Sequence, residues 1–175
     1  LFMDGYAASG EAGGSTGYMD AMGRLPMLLH PAPKDALVIC FGTGQTLRAV
    51  LDENPLHVDM LDVNAAVFSL ADLFVSNRGA LKDPRVRSRA MDGRAWLRRS
   101  TTEYDVVTLE PMPPFFAGSN SLYSVEFYEL IQSRLRDGGC VAQWFPIHLL
   151  TPVQARSVAA AFVRVFPNAE LWFDP

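Results

Sequence analysis

The sequence predicts an α/β fold, a Rossmann-like, doubly wound parallel sheet with helices on both faces. Two observations lead to this prediction. From residue 36 onward, apolar runs of strand length alternate with stretches of helical periodicity, which is the pattern of buried parallel strands joined by helical crossovers. The first of these runs ends in two glycines, Gly42 and Gly44, directly before a helical stretch. A glycine turn between a strand and a helix exposes backbone N–H groups at the helix N-terminus, which favours ligand binding there.

The individual elements are predicted from apolar periodicity and from the chain breakers between them. Pro26 should kink or end the first helix, and Gly138 and Gly139 should cap the fifth. Thr151 followed by Pro152 is typical of a helix start. The predicted strands cover residues 1–3, 36–41, 57–61, 86–90, 106–109, 140–144 and 169–173, and the predicted helices cover residues 18–28, 46–53, 65–75, 94–99, 125–135 and 152–166.

Composition limits the classes of protein that this chain can represent. With 49% hydrophobic and 19% charged residues the chain is globular. Its formal net charge of −4 argues against a nucleic-acid partner. No apolar run approaches the roughly 18 residues of a membrane helix, so we expect no membrane contact from these residues. Cys40 and Cys140 lie in apolar runs without metal-ligand neighbours at zinc spacing, so we expect reduced cysteines and no metal.

Acidic residues follow three successive predicted strands, with Asp62, Asp92 and Glu110 after the second, third and fourth core strand. In doubly wound sheets, ligands bind beyond the carboxyl ends of the strands, where the strand order reverses. Asp62 follows Gly44 by 18 residues, about the spacing of an acid that accepts hydrogen bonds from both ribose hydroxyls. These acids therefore predict a site of nucleotide type at this edge of the sheet.

A series of short motifs resembles one family in order and over nearly the whole length of the chain. The motifs are Leu1-x-Met3-Asp4-Gly5, His30-Pro31-x-Pro33-Lys34, Gly42-Thr43-Gly44, Asp62-Val63-Asn64, Lys82-Asp83-Pro84-Arg85-Val86, Asp92-Gly93, Tyr104-Asp105-Val106-Val107 and Leu135-x-x-Gly138-Gly139. In this order they resemble the spermidine synthases, the polyamine aminopropyltransferases.

The resemblance implies a sheet of the class I S-adenosylmethionine-dependent methyltransferase type and a ligand, decarboxylated S-adenosylmethionine, that leaves as methylthioadenosine. It assigns Asp62 to the ribose hydroxyls and Asp92 to the adenine amino group, which suits acids because they accept from these donors. The remaining cofactor-binding positions that it implies are Gly42, Thr43, Gly44, Val63 and Gly93. No metal takes part.

For the acceptor amine, the resemblance implies that Glu110 is the catalytic base and that Tyr18 and Tyr123 help to bind the substrate. Family positions that contact a diamine through acidic or amide side chains fall here on Thr43, Pro113 and Ala8. Because a buried ammonium without an acid partner costs several kcal/mol, we expect an amine or polyamine acceptor other than a simple diamine.

Two alternatives stay open at this point: a methyltransferase that uses S-adenosylmethionine itself, and a non-catalytic nucleoside-binding domain of a larger membrane protein. We expect residues 1–34 to be the remnant of an N-terminal region and residues 35–175 to form the nucleoside-binding domain. Because the sequence does not begin with Met, we expect a piece of a longer protein. A cytoplasmic location and a homodimer are expected from the resemblance.

Overall fold

The computed structural model describes residues 1–3, 5–11 and 15–173, and at its centre lies a five-stranded parallel sheet. The strands of the sheet run in the order β5-β4-β3-β6-β7. Because β3 has β4 on one side and β6 on the other, the strand order reverses at the carboxyl end of β3, which is where ligands bind in such sheets. The bounds are β3 Asp35–Ile39, β4 His57–Asp62, β5 Val86–Ala90, β6 Tyr104–Leu109 and β7 Leu135–Gln143, with an antiparallel hairpin before them of β1 Phe2–Met3 and β2 Tyr6–Ala7.

Helices cover both faces of the sheet, as predicted. Alternate residues of the central strands point to opposite faces, so that Val38 packs among the side chains of the first three helices and Ile39 among those of the last three. The helices are α1 Ser15–Leu29, α2 Gln45–Asp52, α3 Ala65–Ser69, α4 Gly93–Arg99, α5 Val125–Gln132 and α6 Pro152–Val165, with single 3-10 turns at Ala71–Leu73, Ala80–Lys82, Ser119–Tyr123 and Ile147–Leu149.

Of the two predicted effects of Pro26, a kink or an end of the first helix, the end does not occur, because the structure compensates for the missing backbone N–H. Helix α1 continues to Leu29. The carbonyl of Met22, four residues before the proline, accepts a hydrogen bond from the hydroxyl of Thr108 at 2.9 Å. The carbonyl of Pro26 accepts one from the thiol of Cys140 at 3.2 Å. Tertiary contacts thus hold the helix through the proline.

Three other predicted elements are wrong. The helix predicted at 65–75 ends at Ser69 and is followed by a separate 3-10 turn. The helix predicted at 125–135 ends at Gln132, and the glycines expected to cap it lie inside β7, where the pairing with β6 shifts in register. Residues 169–173 form no strand, and the side chains of Leu171, Trp172 and Phe173 are more than half exposed.

Helices α1 and α2 touch through their backbones at Gly23. A Cβ atom on Gly23 would lie 2.5 Å from the Cβ of Ala49 and 2.7 Å from the carbonyl oxygen of Thr46, distances that no side chain tolerates. Only glycine therefore permits this approach, which brings the N-terminal half of α1 beside the first turn of α2. The division of the chain at residue 34 stays a prediction.

Among the described residues, no helix is long and apolar enough to cross a membrane. In the same part of the chain, no three His, Cys, Asp or Glu side chains come together as a group that could hold a metal ion. Cys40 and Cys140 are both free thiols.

Candidate active site

The turn after β3 is built on left-handed backbone conformations. Gly42 has a φ of 55° and Gly44 a φ of 86°, which glycine adopts without steric cost. A Cβ atom on Gly44 would also lie 2.6 Å from the ring of Phe41. The amide of Gly44 donates to the carbonyl of Phe41 at 2.8 Å, and α2 begins at the next residue. The predicted glycine turn therefore lies at the point where the strand order reverses.

Two of the predicted acids, Asp62 and Asp92, already have roles in the local backbone. The carboxylate of Asp62 accepts from the amides of Phe41 and Asn64, both at 2.8 Å, so it ties the end of β4 to the glycine turn. Burial raises the pKa of Asp62 against the effect of these hydrogen bonds. Asp92 caps α4 by accepting from the amide of Ala95 at 2.7 Å. A carboxylate has about four acceptor positions, so both acids can accept further hydrogen bonds.

The third acid, Glu110, is half-buried directly after β6. Its carboxylate accepts hydrogen bonds from the hydroxyls of Thr46 and Tyr18. Burial raises the pKa of Glu110 to about 7, although both hydrogen bonds act in the opposite direction. A carboxyl that titrates near neutral pH is suited to take a proton during a reaction.

The thiol of Cys40 lies within electrostatic range of all three acids. Cys40 lies directly after β3, and the pKa of its thiol is raised well above the usual value by burial and then by the charges of Asp62, Glu110 and Asp92. All three predicted acids thus lie near enough to this thiol for their charges to raise its pKa. Gly93 permits part of this arrangement, because a Cβ atom there would lie 2.8 Å from the side chain of Ile39.

Aromatic rings border Glu110 on one side. The ring of Tyr18 stacks on Trp144, with 5.9 Å between the ring centres and an interplanar angle of 22°. Burial and then the Glu110 carboxylate raise the pKa of Tyr18, so its hydroxyl stays protonated and able to donate. A mainly apolar cavity of about 770 Å³ extends from these two rings along β7, and among the described residues its lining includes none of the three acids.

The turn residue Thr43 is buried within an uncharged set of hydrogen bonds. Its hydroxyl lies 3.1 Å from that of Ser9, and the side-chain amide of Gln45 donates to it at 3.3 Å. The same amide donates to the carbonyl of Gly10 at 2.9 Å. We call Ser9, Thr43 and Gln45 the neutral cluster. It ties the segment before α1 to the glycine turn.

The spermine/spermidine synthase domain model matches residues 15–173 of the chain. The chain belongs to this family. It is 39% identical over 146 residues to polyamine aminopropyltransferase 2 of Pseudomonas aeruginosa, a match that covers 81% of this chain and 42% of the relative. The chain spans about half the length of the curated relatives that it matches.

Solved structures agree with the family and with the predicted sheet. A spermidine synthase in complex with the transition-state analogue AdoDATO has a TM-score of 0.79 at 25% identity, covering 87% of this chain and 53% of that one. Human methyltransferase-like protein 13 in complex with SAH has a TM-score of 0.56 at 16% identity, covering 93% and 96%, and shows the shared methyltransferase-type fold. The predicted fold class and family resemblance are confirmed.

Two of the predicted site residues, Val63 and Tyr123, make no described contact with the three acids through their side chains. The side chain of Val63 is 76% exposed, directly after Asp62. The hydroxyl of Tyr123 donates to the carbonyl of Pro111 at 3.2 Å, so this side chain supports the loop after β6. The cofactor role of Val63 and the substrate role of Tyr123 stay predictions, as do the roles of the other site residues.

Sequence reasoning missed Thr46, Ser9 and Gln45. Thr46 lies in the first turn of α2, and its partner Glu110 is 64 residues away. Ser9 contacts Thr43, and Gln45 contacts Gly10, and the residues of each pair are likewise far apart in the sequence. No local pattern carries such contacts, because they arise only when α1, α2 and β6 pack together.

The raised pKa of Glu110 makes the stability of the fold depend on pH. Because the carboxyl has a pKa of about 7 when folded and an ordinary value of 4.5, the folded state binds more protons between these values. Stability from this group is therefore complete below about pH 4.5 and is lost as pH rises to about 7. Glu110→Gln should raise the free energy of unfolding at pH 8 by at most about 3 kcal/mol, with no gain near pH 4.

Urea unfolding of the parent protein and of Glu110→Gln at both pH values measures this difference. Glu129→Gln, at an exposed position on α5, is the matched control and should change little at either pH. An equal stability gain for Glu110→Gln at pH 4 and pH 8 would show that burial does not raise the pKa of Glu110 to near 7.

Proposed function

We propose that the protein transfers an aminopropyl group from decarboxylated S-adenosylmethionine to an amine acceptor and releases methylthioadenosine. The observation that carries this proposal is the half-buried Glu110 carboxyl, held by Thr46 and Tyr18 with a pKa of about 7. Membership in the spermine/spermidine synthase family supports the same reaction.

In the proposed step, the acceptor nitrogen uses its lone pair to form a bond to the methylene carbon beside the sulfonium. The carbon–sulfur bond breaks, and the sulfur keeps the electron pair as the neutral thioether of methylthioadenosine. The proton that the acceptor nitrogen loses passes to Glu110. Holding the nitrogen in line with the carbon–sulfur bond supplies much of the rate increase. Tyr18 donates a hydrogen bond to the Glu110 carboxylate and so helps to orient the group that accepts a hydrogen bond from the acceptor nitrogen.

For the cofactor, we propose that Asp62 accepts from the ribose hydroxyls and Asp92 from the adenine amino group. Their position near Cys40 at the carboxyl ends of the strands supports these roles. The glycine turn lets the backbone approach the ligand closely, and Val63 and Gly93 adjoin the two acids in sequence. The complex of a related spermidine synthase with AdoDATO supports a ligand of this kind.

For the acceptor, we propose an amine or polyamine other than a simple diamine. The neutral cluster supports this, because Thr43 presents only uncharged partners among the described residues. A second ammonium there would lie in a buried place without a carboxylate, at a cost of several kcal/mol. The homodimer and the cytoplasmic location stay predictions.

Calorimetric titration separates this proposal from a methyltransferase that uses S-adenosylmethionine. The intact cofactor carries a carboxylate that the decarboxylated form lacks. In the proposed reaction this end of the cofactor lies toward Glu110, whose ionised form would repel a second carboxylate. We expect the decarboxylated cofactor to bind at least about tenfold tighter, which corresponds to about 1.4 kcal/mol. Equal affinity, or a preference for S-adenosylmethionine, would favour the methyltransferase, and methylthioadenosine serves as the common reference ligand.

A further inference from the structure

The hydroxyl of Thr46 lies between two acceptors that belong to different elements. It bonds the Oε1 atom of Glu110, at the end of β6, and it lies 3.2 Å from the carbonyl oxygen of Met19 on α1. Thr46 is 5% exposed. The close contact of α1 and α2 at Gly23 fixes the separation of the carbonyl and the hydroxyl.

A hydroxyl has one proton to donate and two lone pairs that accept, whereas a carbonyl oxygen only accepts. When Glu110 is ionised, the Thr46 hydroxyl can donate to the carboxylate. When Glu110 is protonated, the carboxyl O–H can donate to the Thr46 oxygen, and the Thr46 proton can turn to the carbonyl of Met19. Every donor has a partner in both states, so neither state leaves a buried donor unsatisfied.

We infer that Thr46 is a positioning residue that holds Glu110 in place both before and after it takes the proton, by turning its own proton between Glu110 and Met19. The inference rests on the proposed function of Glu110 as the base. A base that shifts when it becomes protonated loses its alignment with the acceptor nitrogen. Thr46 prevents this shift without a change in its own position.

The other groups that face Glu110 do not supply this exchange. Tyr18, from α1, donates a hydrogen bond to the carboxylate. Its ring stacks on Trp144, and this contact offers no second acceptor to which the hydroxyl proton could turn. Cys40, at the end of β3, faces Glu110 as a neutral thiol. Asp62 and Asp92 lie near the same thiol, whereas the pKa of Glu110 responds to its burial and to the hydrogen bonds of Thr46 and Tyr18.

Thr46→Val and Thr46→Ser test the inference as a matched pair. Valine keeps the shape of threonine and removes the hydroxyl, whereas serine keeps the hydroxyl. Because the hydrogen bond to the charged carboxylate is stronger than the one to the neutral carboxyl, Thr46→Val should raise the pKa of Glu110 and move the acid limb of the pH–rate profile to higher pH. It should lower kcat by about tenfold, as expected for the loss of a hydrogen bond to a charged group, with the KM for decarboxylated S-adenosylmethionine within about twofold. Thr46→Ser should retain the parent profile.

A carboxyl titration followed by carbon-13 NMR, with Glu110→Gln to assign the signal, measures the same shift without turnover. This measurement separates the role of Thr46 from the proposed aminopropyl transfer. If no amine yields methylthioadenosine but the Glu110 signal titrates at higher pH in Thr46→Val, the proposed function fails and the role of Thr46 stands.

An unchanged Glu110 titration in Thr46→Val, or a Thr46→Ser protein that behaves like Thr46→Val, overturns the inference. Thr101→Val makes the same substitution at an exposed position and should leave the Glu110 titration unchanged. If Thr46→Val does not fold, Thr46→Ala removes the same hydroxyl without adding bulk and is judged by the same two criteria.

Discussion

Glu110→Gln is expected to lower kcat/KM for aminopropyl transfer by at least about 100-fold, the lower range for loss of a general base. The amide keeps the size of the side chain and its contact with Thr46, but it cannot take the proton that the acceptor nitrogen loses. The measurement is the rate of methylthioadenosine release from decarboxylated S-adenosylmethionine at saturating amine.

The affinity of Glu110→Gln for methylthioadenosine should stay within about threefold of the parent, because the proposed nucleoside contacts are made by other residues. Glu129→Gln, which removes an exposed carboxylate, should keep the parent rate. A Glu110→Gln protein with more than a tenth of the parent rate would mean that the proton leaves by another route.

Asp62→Asn should weaken the binding of methylthioadenosine by about 100-fold. The two ribose hydroxyls that Asp62 is proposed to bind would lose a charged acceptor, and hydrogen bonds to charged groups contribute about 1.5–3 kcal/mol each. The substitution also places an amide N–H₂ where the carboxylate now accepts from the backbone amides of Phe41 and Asn64. One of these donors then faces another donor, and the glycine turn moves. Calorimetry with methylthioadenosine measures the loss.

Asp72→Asn is the matched control for this experiment, because the Asp72 side chain is 69% exposed and pairs with Lys82 at the surface. Its affinity for methylthioadenosine should equal that of the parent. If Asp62→Asn binds within threefold of the parent while its thermal unfolding is unchanged, Asp62 does not hold the ribose.

A buried catalytic base also destabilises the fold that carries it. Glu110 reaches a pKa near 7 because it is buried, and the same burial opposes its ionisation at neutral pH. A group tuned for proton transfer is therefore expected to reduce stability where the reaction runs. The pH dependence of unfolding and the loss of rate in Glu110→Gln are two results of one feature.

The sheet was predictable because its central strands, β3, β4 and β6, are short and mainly apolar runs between helical stretches. The position of the acids was predictable for a related reason: parallel strands bring their carboxyl ends to one edge of the sheet, where Asp62, Asp92 and Glu110 follow β4, β5 and β6. The glycine turn was visible because Gly42 and Gly44 adopt backbone conformations that other residues avoid.

The errors have physical causes that no local pattern carries. Pro26 stays within a helix because the hydroxyl of Thr108 replaces the lost backbone donor, a contact across 86 residues. Residues 169–173 have the composition of a strand, yet apolar residues become a strand only where a ladder partner is available. Gly138 and Gly139 were expected to end a helix, but β7 already begins at Leu135 and contains them.

The acceptor side of the site was the least accessible to sequence reasoning. The absence of charge at Thr43 was visible, but its enclosure by Ser9 and Gln45 depends on the segment before α1 folding over the turn. The contact of Thr46 with Glu110 likewise depends on the approach of α1 to α2 at Gly23. These contacts form only through tertiary packing.

The most direct test of the account is to incubate the protein with decarboxylated S-adenosylmethionine and a panel of monoamines, diamines and polyamines, and to quantify methylthioadenosine and the extended amine together. We predict that at least one amine yields both products in equal amounts, at a rate that Glu110→Gln reduces by at least about 100-fold. A protein that binds decarboxylated S-adenosylmethionine but forms neither product with any amine would contradict the account.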